Sequence, residues 1–337
     1  MAETVVLPLL EEHGSCPVCG ERALRPLHVY EAGLHAEWFA LRVALMGCST
    51  CGIGFAHPLP DEEALDAYYH AQAEGWDGRV ADDVAQAVLE RKLVDKRARH
   101  RADLAHIEPY LRVIPGGERA ALDFGCGVGA CLDVLQQAGW QTFGIEPGET
   151  ARRFVAQRHT VLDSVPAERT FELAVLHHVL EHLRDPLAVV SRIARVVKPG
   201  GYLLVAVPDA GGLGRHRRFT HVFKFPHTFM FTRSSLEALL GIAGFEIADS
   251  SQDGEGWPKT KEYELKCLAR RVDGQVPPPP DPLAPLVEAL RSYGEYELAE
   301  RRRLKEEAVA ARGKLRTRLR RALSKARGGG ERRAPKF

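Results

Sequence analysis

Residues 121–131, Ala-Leu-Asp-Phe-Gly-Cys-Gly-Val-Gly-Ala-Cys, constrain this chain more than any other stretch. Apolar residues and one acid run into Gly125, Gly127 and Gly129, and a helical pattern follows through Leu132 and Leu135 to Gly139. That order reads as a strand, a glycine turn and a helix. Glycines let a backbone reverse sharply and approach a ligand closely, and a helix start offers N–H groups to it. The dinucleotide fingerprint G-x-G-x-x-G is not met: counted from Gly125 its last glycine falls on Ala130, and counted from Gly127 on Leu132.

From 119 onward the pattern alternates strand and helix, which predicts a parallel sheet. Strands are expected near 119–124, 141–146, 171–176 and 202–207, with helices near 129–138, 149–158 and 186–197. Lys198-Pro199-Gly200-Gly201 reads as the turn into the last of these strands. A helix at 233–243 and two antiparallel strands near 245–251 and 262–269 follow. Upstream, Pro60-Asp61-Glu62-Glu63 reads as a helix start, and a longer helix fits 80–111. Six prolines within 275–285 predict a stiff linker.

Seven cysteines are present, four of them in two C-x-x-C pairs: Cys16-Pro-Val-Cys19-Gly and Cys48-Ser-Thr-Cys51-Gly. Paired knuckles, each followed by glycine, are the usual frame of a tetrahedral zinc site. Four thiolates leave no open coordination position, so the metal on Cys16, Cys19, Cys48 and Cys51 is expected to be structural.

Leu122-Asp123-x-Gly125-Cys126-Gly127-x-Gly129 closely resembles motif I of class I methyltransferases that use S-adenosylmethionine. Gly144-Ile145-Glu146-Pro147 resembles their acidic loop after the second strand. Val179-Leu180-Glu181-His182-Leu183-x-Asp185-Pro186 resembles the segment after the fourth, and it is also similar to that of ubiquinone-pathway O-methyltransferases, in which an acid stands at the place of His178. His227-x-x-x-Phe231-Thr232-x-x-Ser235-Leu236 resembles their C-terminal part. With the cysteine module and Tyr68-Tyr69, the likeness spans about 16–250 and points to bacterial enzymes of sugar, polysaccharide and natural-product pathways.

The resemblance implies a doubly wound, mostly parallel, seven-stranded Rossmann-like α/β sheet with a small N-terminal zinc module and a C-terminal helical tail. The expected units are a zinc-binding module (1–57), a helical lead-in or lid (58–117), the methyltransferase domain (118–272), a proline-rich linker (273–285) and a basic amphipathic tail (286–337). Asp123 suits the cofactor's ammonium group, and Gly125, Cys126, Gly127 and Gly129 its close approach. Glu146, with Pro147 beside it, is placed to accept hydrogen bonds from ribose hydroxyls. Asp163 and Ser164 are expected at the adenine edge, and His177 beside the cofactor. His227, His178, Glu181 and His182 are the candidates for handling the acceptor's proton. Residues 178, 181 and 182 share one face if that segment turns helically.

The formal charge of +1 hides an asymmetry. Residues 301–337 carry fifteen Lys or Arg against Glu306, Glu307 and Glu331, so the first 300 residues are net acidic. From Leu304 the tail reads as a basic amphipathic helix, which suits an anionic membrane surface or a partner helix. The basic segment around Arg215, Arg217 and Arg218 would suit an acidic acceptor such as a nucleotide-linked sugar. No basic n-region or long apolar run is present, so a cytoplasmic protein is expected, peripheral to the inner face of the membrane through its tail.

Two function classes follow. The first is O-methylation of a small polar acceptor, a sugar or a pathway intermediate. The alternative is a zinc-ribbon methyltransferase or binding protein on RNA. Against the alternative, the acidic body and a tail with no aromatic residue before Phe337 make a poor nucleic-acid surface.

Overall fold

The computed structural model describes residues 14–30, 43–60, 65, 82–114, 118–213, 222–223, 226–252, 256–258, 264–295 and 302. In chain order its strands are β1 (Leu24–Tyr30), β2 (Val43–Cys48), β3 (Gly54–His57), β4 (Ala120–Phe124), β5 (Gln141–Ile145), β6 (Thr160–Leu162), β7 (Phe171–His177), β8 (Val197–Pro208), β9 (Phe229–Met230), β10 (Phe245–Ser250) and β11 (Glu264–Arg271). Its helices are α1 (Asp82–Leu111), α2 (Ala130–Gln137), α3 (Glu149–Ala156), α4 (Pro186–Val196), α5 (Arg233–Ile242) and α6 (284–295).

The central strand β4 is buried in four of its five residues because helices cover both faces of the sheet. The larger sheet has the order β10-β11-β8-β7-β4-β5-β6. Its pairs are parallel from β6 to β8, and β11 runs antiparallel between β8 and β10. Parallel neighbours need crossovers, and α2, α3 and α4 supply them. The chain leaves β4 towards β5 and β6, then returns to β7 on the other side. That reversal opens a crevice at the carboxyl ends of β4 and β7.

This sheet is the seven-stranded, mostly parallel one expected. Helix 80–111 is observed as Asp82–Leu111. Two details differ. The strand expected from 202 begins at Val197, which pairs with Phe171, so Lys198-Pro199-Gly200-Gly201 lies inside the strand. The seventh strand, β6, has only three residues, too few for any pattern to show.

The cysteine segment builds a second sheet, ordered β1-β2-β3-β9 and antiparallel throughout. Its last strand comes from residues 229–230, far along the chain. Cys16, Val18, Ile53 and Phe55 share one apolar cluster with Leu176, Leu180, Phe229, Phe231 and Leu236. The cysteine sheet and the larger sheet therefore share one core.

The prolines likewise do not hold the following helix away. Leu283, Leu286 and Ala289 pack against Leu45, Ala56 and Met230. A Cβ on Gly54 would stand 2.6 Å from Leu286 Cδ2, so that glycine makes room for α6. Leu286 is fully buried, and its truncation to Ala would cost about 2–5 kcal/mol.

Apart from Arg302, the tail beyond residue 295 lies outside the described residues, and so do most of 58–81 and all of 214–221. The amphipathic helix, the Tyr68-Tyr69 lead-in and the basic segment fall there. No helix among the described residues is long and apolar enough to cross a membrane.

Candidate active site

The glycine turn is pinned to the end of β5. The amides of Gly125 and Cys126 both donate to the Ile145 carbonyl, at 2.8 and 3.0 Å. Gly125, Gly127 and Gly129 all have positive φ (79°, 54° and 79°), a region side chains avoid. A Cβ on Gly125 would come within 2.5 Å of Val179 Cγ2, so the turn packs directly on the loop after β7. A Cβ on Gly127 would meet nothing within 4 Å, which leaves that face open to a ligand. Helix α2 starts at Gly129 with no side-chain cap, so its first amides remain for one.

Glu146 closes the turn. Oε2 accepts from the Gly127 amide and Oε1 from the Gly148 amide, each at 2.8 Å. Burial raises its pKa, and these two amides work against that rise. Asp123 is only 3% exposed. Burial, and then the charge of Glu146, push its pKa up to about 7. The charge of Lys96 works against that rise and does not cancel it. A buried carboxylate of this kind fits a cationic ligand, and the ammonium and sulfonium groups of S-adenosylmethionine meet that demand.

A pH dependence follows. A cation favours ionised Asp123, so binding must expel the proton that Asp123 carries below about pH 7. Affinity for S-adenosylhomocysteine, measured calorimetrically, should therefore be about tenfold weaker at pH 6 than at pH 8. Asp123→Asn should flatten that dependence, and a wild-type affinity that is constant from pH 6 to 8 would exclude Asp123 from contact with the cofactor.

The other expected cofactor residues lie less centrally. The Cys126 thiol is buried against Gly144, and burial raises its pKa. Pro147 is exposed beside Glu146. Asp163 and Ser164 are exposed after β6, where Asp163 pairs with Arg152 at 2.5 Å. His177 ends β7 in the interior, its ring edge-on to His100 at 4.9 Å. Burial drives His177 well below the usual imidazole range, so it is neutral.

Past β7 a short 3₁₀ turn, Leu180–His182, brings the candidate acid–base residues together. His178 Nδ1 lies 3.0 Å from Glu181 Oε1, and His178 Nε2 2.7 Å from Glu264 Oε1. His182 Nε2 is 3.8 Å from Glu181 Oε1. The His182 and His227 rings meet edge-on at 4.7 Å. His227 Nδ1 donates to the Val222 carbonyl at 3.1 Å. Burial alone would raise Glu181, but hydrogen bonding from His178 and the charges of His182, His178 and His227 hold it below the usual carboxylate range.

Sequence reasoning missed a group of ions beneath this cluster. Glu264 and Lys266 of β11 meet Arg99 and Asp103 of α1. Lys266 Nζ is 2.6 Å from Asp103 Oδ1 and 3.3 Å from Glu264 Oε2, and Arg99 Nη1 is 3.4 Å from Glu264 Oε1. Alternating polar residues in Glu-Leu-Lys-Cys resemble an exposed edge strand. Only the strand order, which puts β11 inside the sheet, shows that they are buried.

The four cysteines stand as a metal centre requires. Cys16 and Cys51 sulfurs are 3.7 Å apart, Cys19 and Cys48 sulfurs 3.5 Å, and all four lie within 4.8 Å of one another. A tetrahedron with Zn–S bonds of about 2.3 Å has edges of about 3.8 Å, so the set fits zinc. The positive φ of Gly20 and Gly52 completes each knuckle.

Comparison with known proteins finds methyltransferases. A family described as the methyltransferase domain matches residues 89–250. The chain is 32% identical over 182 residues to a ubiquinone biosynthesis O-methyltransferase of Pseudomonas entomophila, covering 46% of this chain and 75% of that one. It is 30% identical over 122 residues to the protein of the same name from Albidiferax ferrireducens, covering 32% of this chain and about half (48%) of the relative. Among solved structures, that of the plantazolicin methyltransferase BpumL in complex with SAH is similar over 63% of this chain and 98% of its own, at 11% identity and a TM-score of 0.44.

Proposed function

The chain belongs to the class I S-adenosylmethionine-dependent methyltransferases, and on that premise we propose that it methylates an oxygen of a small polar acceptor, a sugar or a biosynthetic intermediate. One observation carries the reading: His227 meets His182 and Glu181, and those two stand on the loop that packs against the glycine turn. Zinc on the four cysteines supports the fold and takes no part in the chemistry.

When bound, S-adenosylmethionine supplies a methyl group on a good leaving group. The protein's share is alignment and management of the acceptor's proton. His227 donates from Nδ1 to Val222, so in the neutral ring the lone pair is on Nε2. That nitrogen would take the acceptor's hydroxyl proton as its oxygen is methylated. Ionised Glu181 favours the resulting imidazolium. His178, with a carboxylate at each ring nitrogen, has no lone pair to act as a base, and its role is positional.

The test uses methyl-labelled cofactor, the full chain and a protein-free bacterial extract. The label should enter a low-mass polar compound as an O-methyl group, identified by mass spectrometry. The pH–rate profile should rise with an apparent pKa within about a unit of 6.5. His227→Ala should slow transfer about 100-fold or more. Undiminished turnover in His227→Ala would leave alignment alone as the source of the rate.

A further inference from the structure

His178 has φ of 56°, a left-handed conformation that strains a non-glycine residue. Such strain persists only where the surroundings over-determine it. Here they do. The His178 ring is held between two carboxylates, each with a side chain 1% exposed: Glu181 on the 3₁₀ turn and Glu264 on β11. Glu264 is itself anchored by Lys266 and Arg99, and Lys266 bonds Asp103 of α1. On the other side, the Glu181 carbonyl accepts the Thr228 amide at 2.8 Å. Thr228 follows His227, and its hydroxyl donates to the Leu183 carbonyl at 3.2 Å. A continuous bonded path thus runs from α1 and β11, through one ring, to the segment bearing His227.

We propose that Glu264 is a positioning residue: through the His178 ring it fixes the 3₁₀ turn of Glu181, and through that turn the His227–Thr228 segment facing the acceptor. Its consequence for methyl transfer rests on the reading of His227 as the base; the bridge itself does not. Glu264 touches neither acceptor nor cofactor in this role. It decides where Glu181 and His227 stand.

The experiment is nuclear magnetic resonance on the full chain with ¹⁵N-labelled histidine and amides, with no acceptor added. Glu264→Gln keeps shape and removes charge. His178→Asn removes the ring but keeps a residue that tolerates positive φ. In the wild type both ring N–H protons of His178 should be slow to exchange with water. In each variant the Thr228 amide should exchange about tenfold faster or more, while the Cys48 amide, bonded to Ile53 at 3.0 Å, stays protected. The ring signals of His182 and His227 should also move, which loss of global stability alone would not produce. The double variant should be no worse than the worse single one, because the two residues form one unit.

Unchanged Thr228 exchange and unchanged His182 and His227 signals in both variants would overturn the proposal, and so would freely exchanging His178 ring protons in the wild type. If His227→Ala keeps full methyl transfer while Thr228 still responds to Glu264→Gln, the base assignment falls and the positioning role stands.

Discussion

Replacing Cys48 with serine should loosen the acceptor side as well as the N-terminal sheet. The sulfurs of Cys16, Cys19, Cys48 and Cys51 lie within 4.8 Å of one another, and structural zinc contributes about 10–16 kcal/mol of apparent binding energy in small zinc domains. Losing one ligand removes much of that. The strands that would loosen are not an appendage. Phe55 pairs with Phe229 in the β3–β9 ladder, and the Ala56 amide donates to the Thr228 carbonyl at 2.8 Å. Thr228 is next to His227. Because Leu176 and Leu180 lie in the same apolar cluster as Cys48, cofactor affinity should fall as well. The wild type should carry one zinc per chain by elemental analysis. Cys48→Ser should carry well under one and lose at least about 5 °C of melting temperature. Wild-type protein purified without chelator and free of zinc, or a Cys48→Ser variant melting with the wild type, would reject this role for the metal.

Glu146→Ala should weaken S-adenosylhomocysteine by about 1.5–3 kcal/mol, roughly 10- to 150-fold. Two losses combine. The carboxylate gives up the hydrogen bonds it is placed to accept from ribose hydroxyls. It also leaves the amides of Gly127 and Gly148 unmatched, so the glycine turn loses its brace. Glu146→Gln should fall between, since its amide oxygen can still accept from one donor. Calorimetric titration reads both effects, and unchanged affinity in Glu146→Ala would remove the residue from the site.

The larger sheet was legible because its signals are local. Leu122-Asp123 into three glycines marks a strand end and a turn, and Asp185-Pro186 marks a helix start, where the Asp185 side chain caps the Ala188 amide at 2.8 Å. The second sheet was not legible. Its fourth strand is two residues long and pairs with residues far back in the chain, so no periodicity reveals it. The clustering of the four cysteines was visible from spacing alone, yet spacing could not show whose core they join.

The candidate acid–base cluster was half visible. Residues 178, 181 and 182 announce themselves by their i, i+3, i+4 spacing after an apolar strand. Glu264 does not, because its partners in α1 and in the loop after β7 are fixed by the order of strands rather than by sequence neighbours. Its burial is a tertiary fact. The same holds for α6. Four consecutive prolines at 277–280 suggest a spacer, whereas the apolar residues after them, Leu283 and Leu286, fill the outer face of the cysteine sheet.

The most direct test is a crystal structure of the full chain with S-adenosylhomocysteine. The ribose hydroxyls should lie within hydrogen-bond distance of both Glu146 carboxylate oxygens. The amino-acid tail should run over Gly125 and Gly127, with its ammonium turned towards Asp123. The sulfur should point to the side of the crevice where His227 and His182 stand. Ligand bound away from the carboxyl ends of β4 and β7, or with its ribose out of reach of Glu146, would contradict the account.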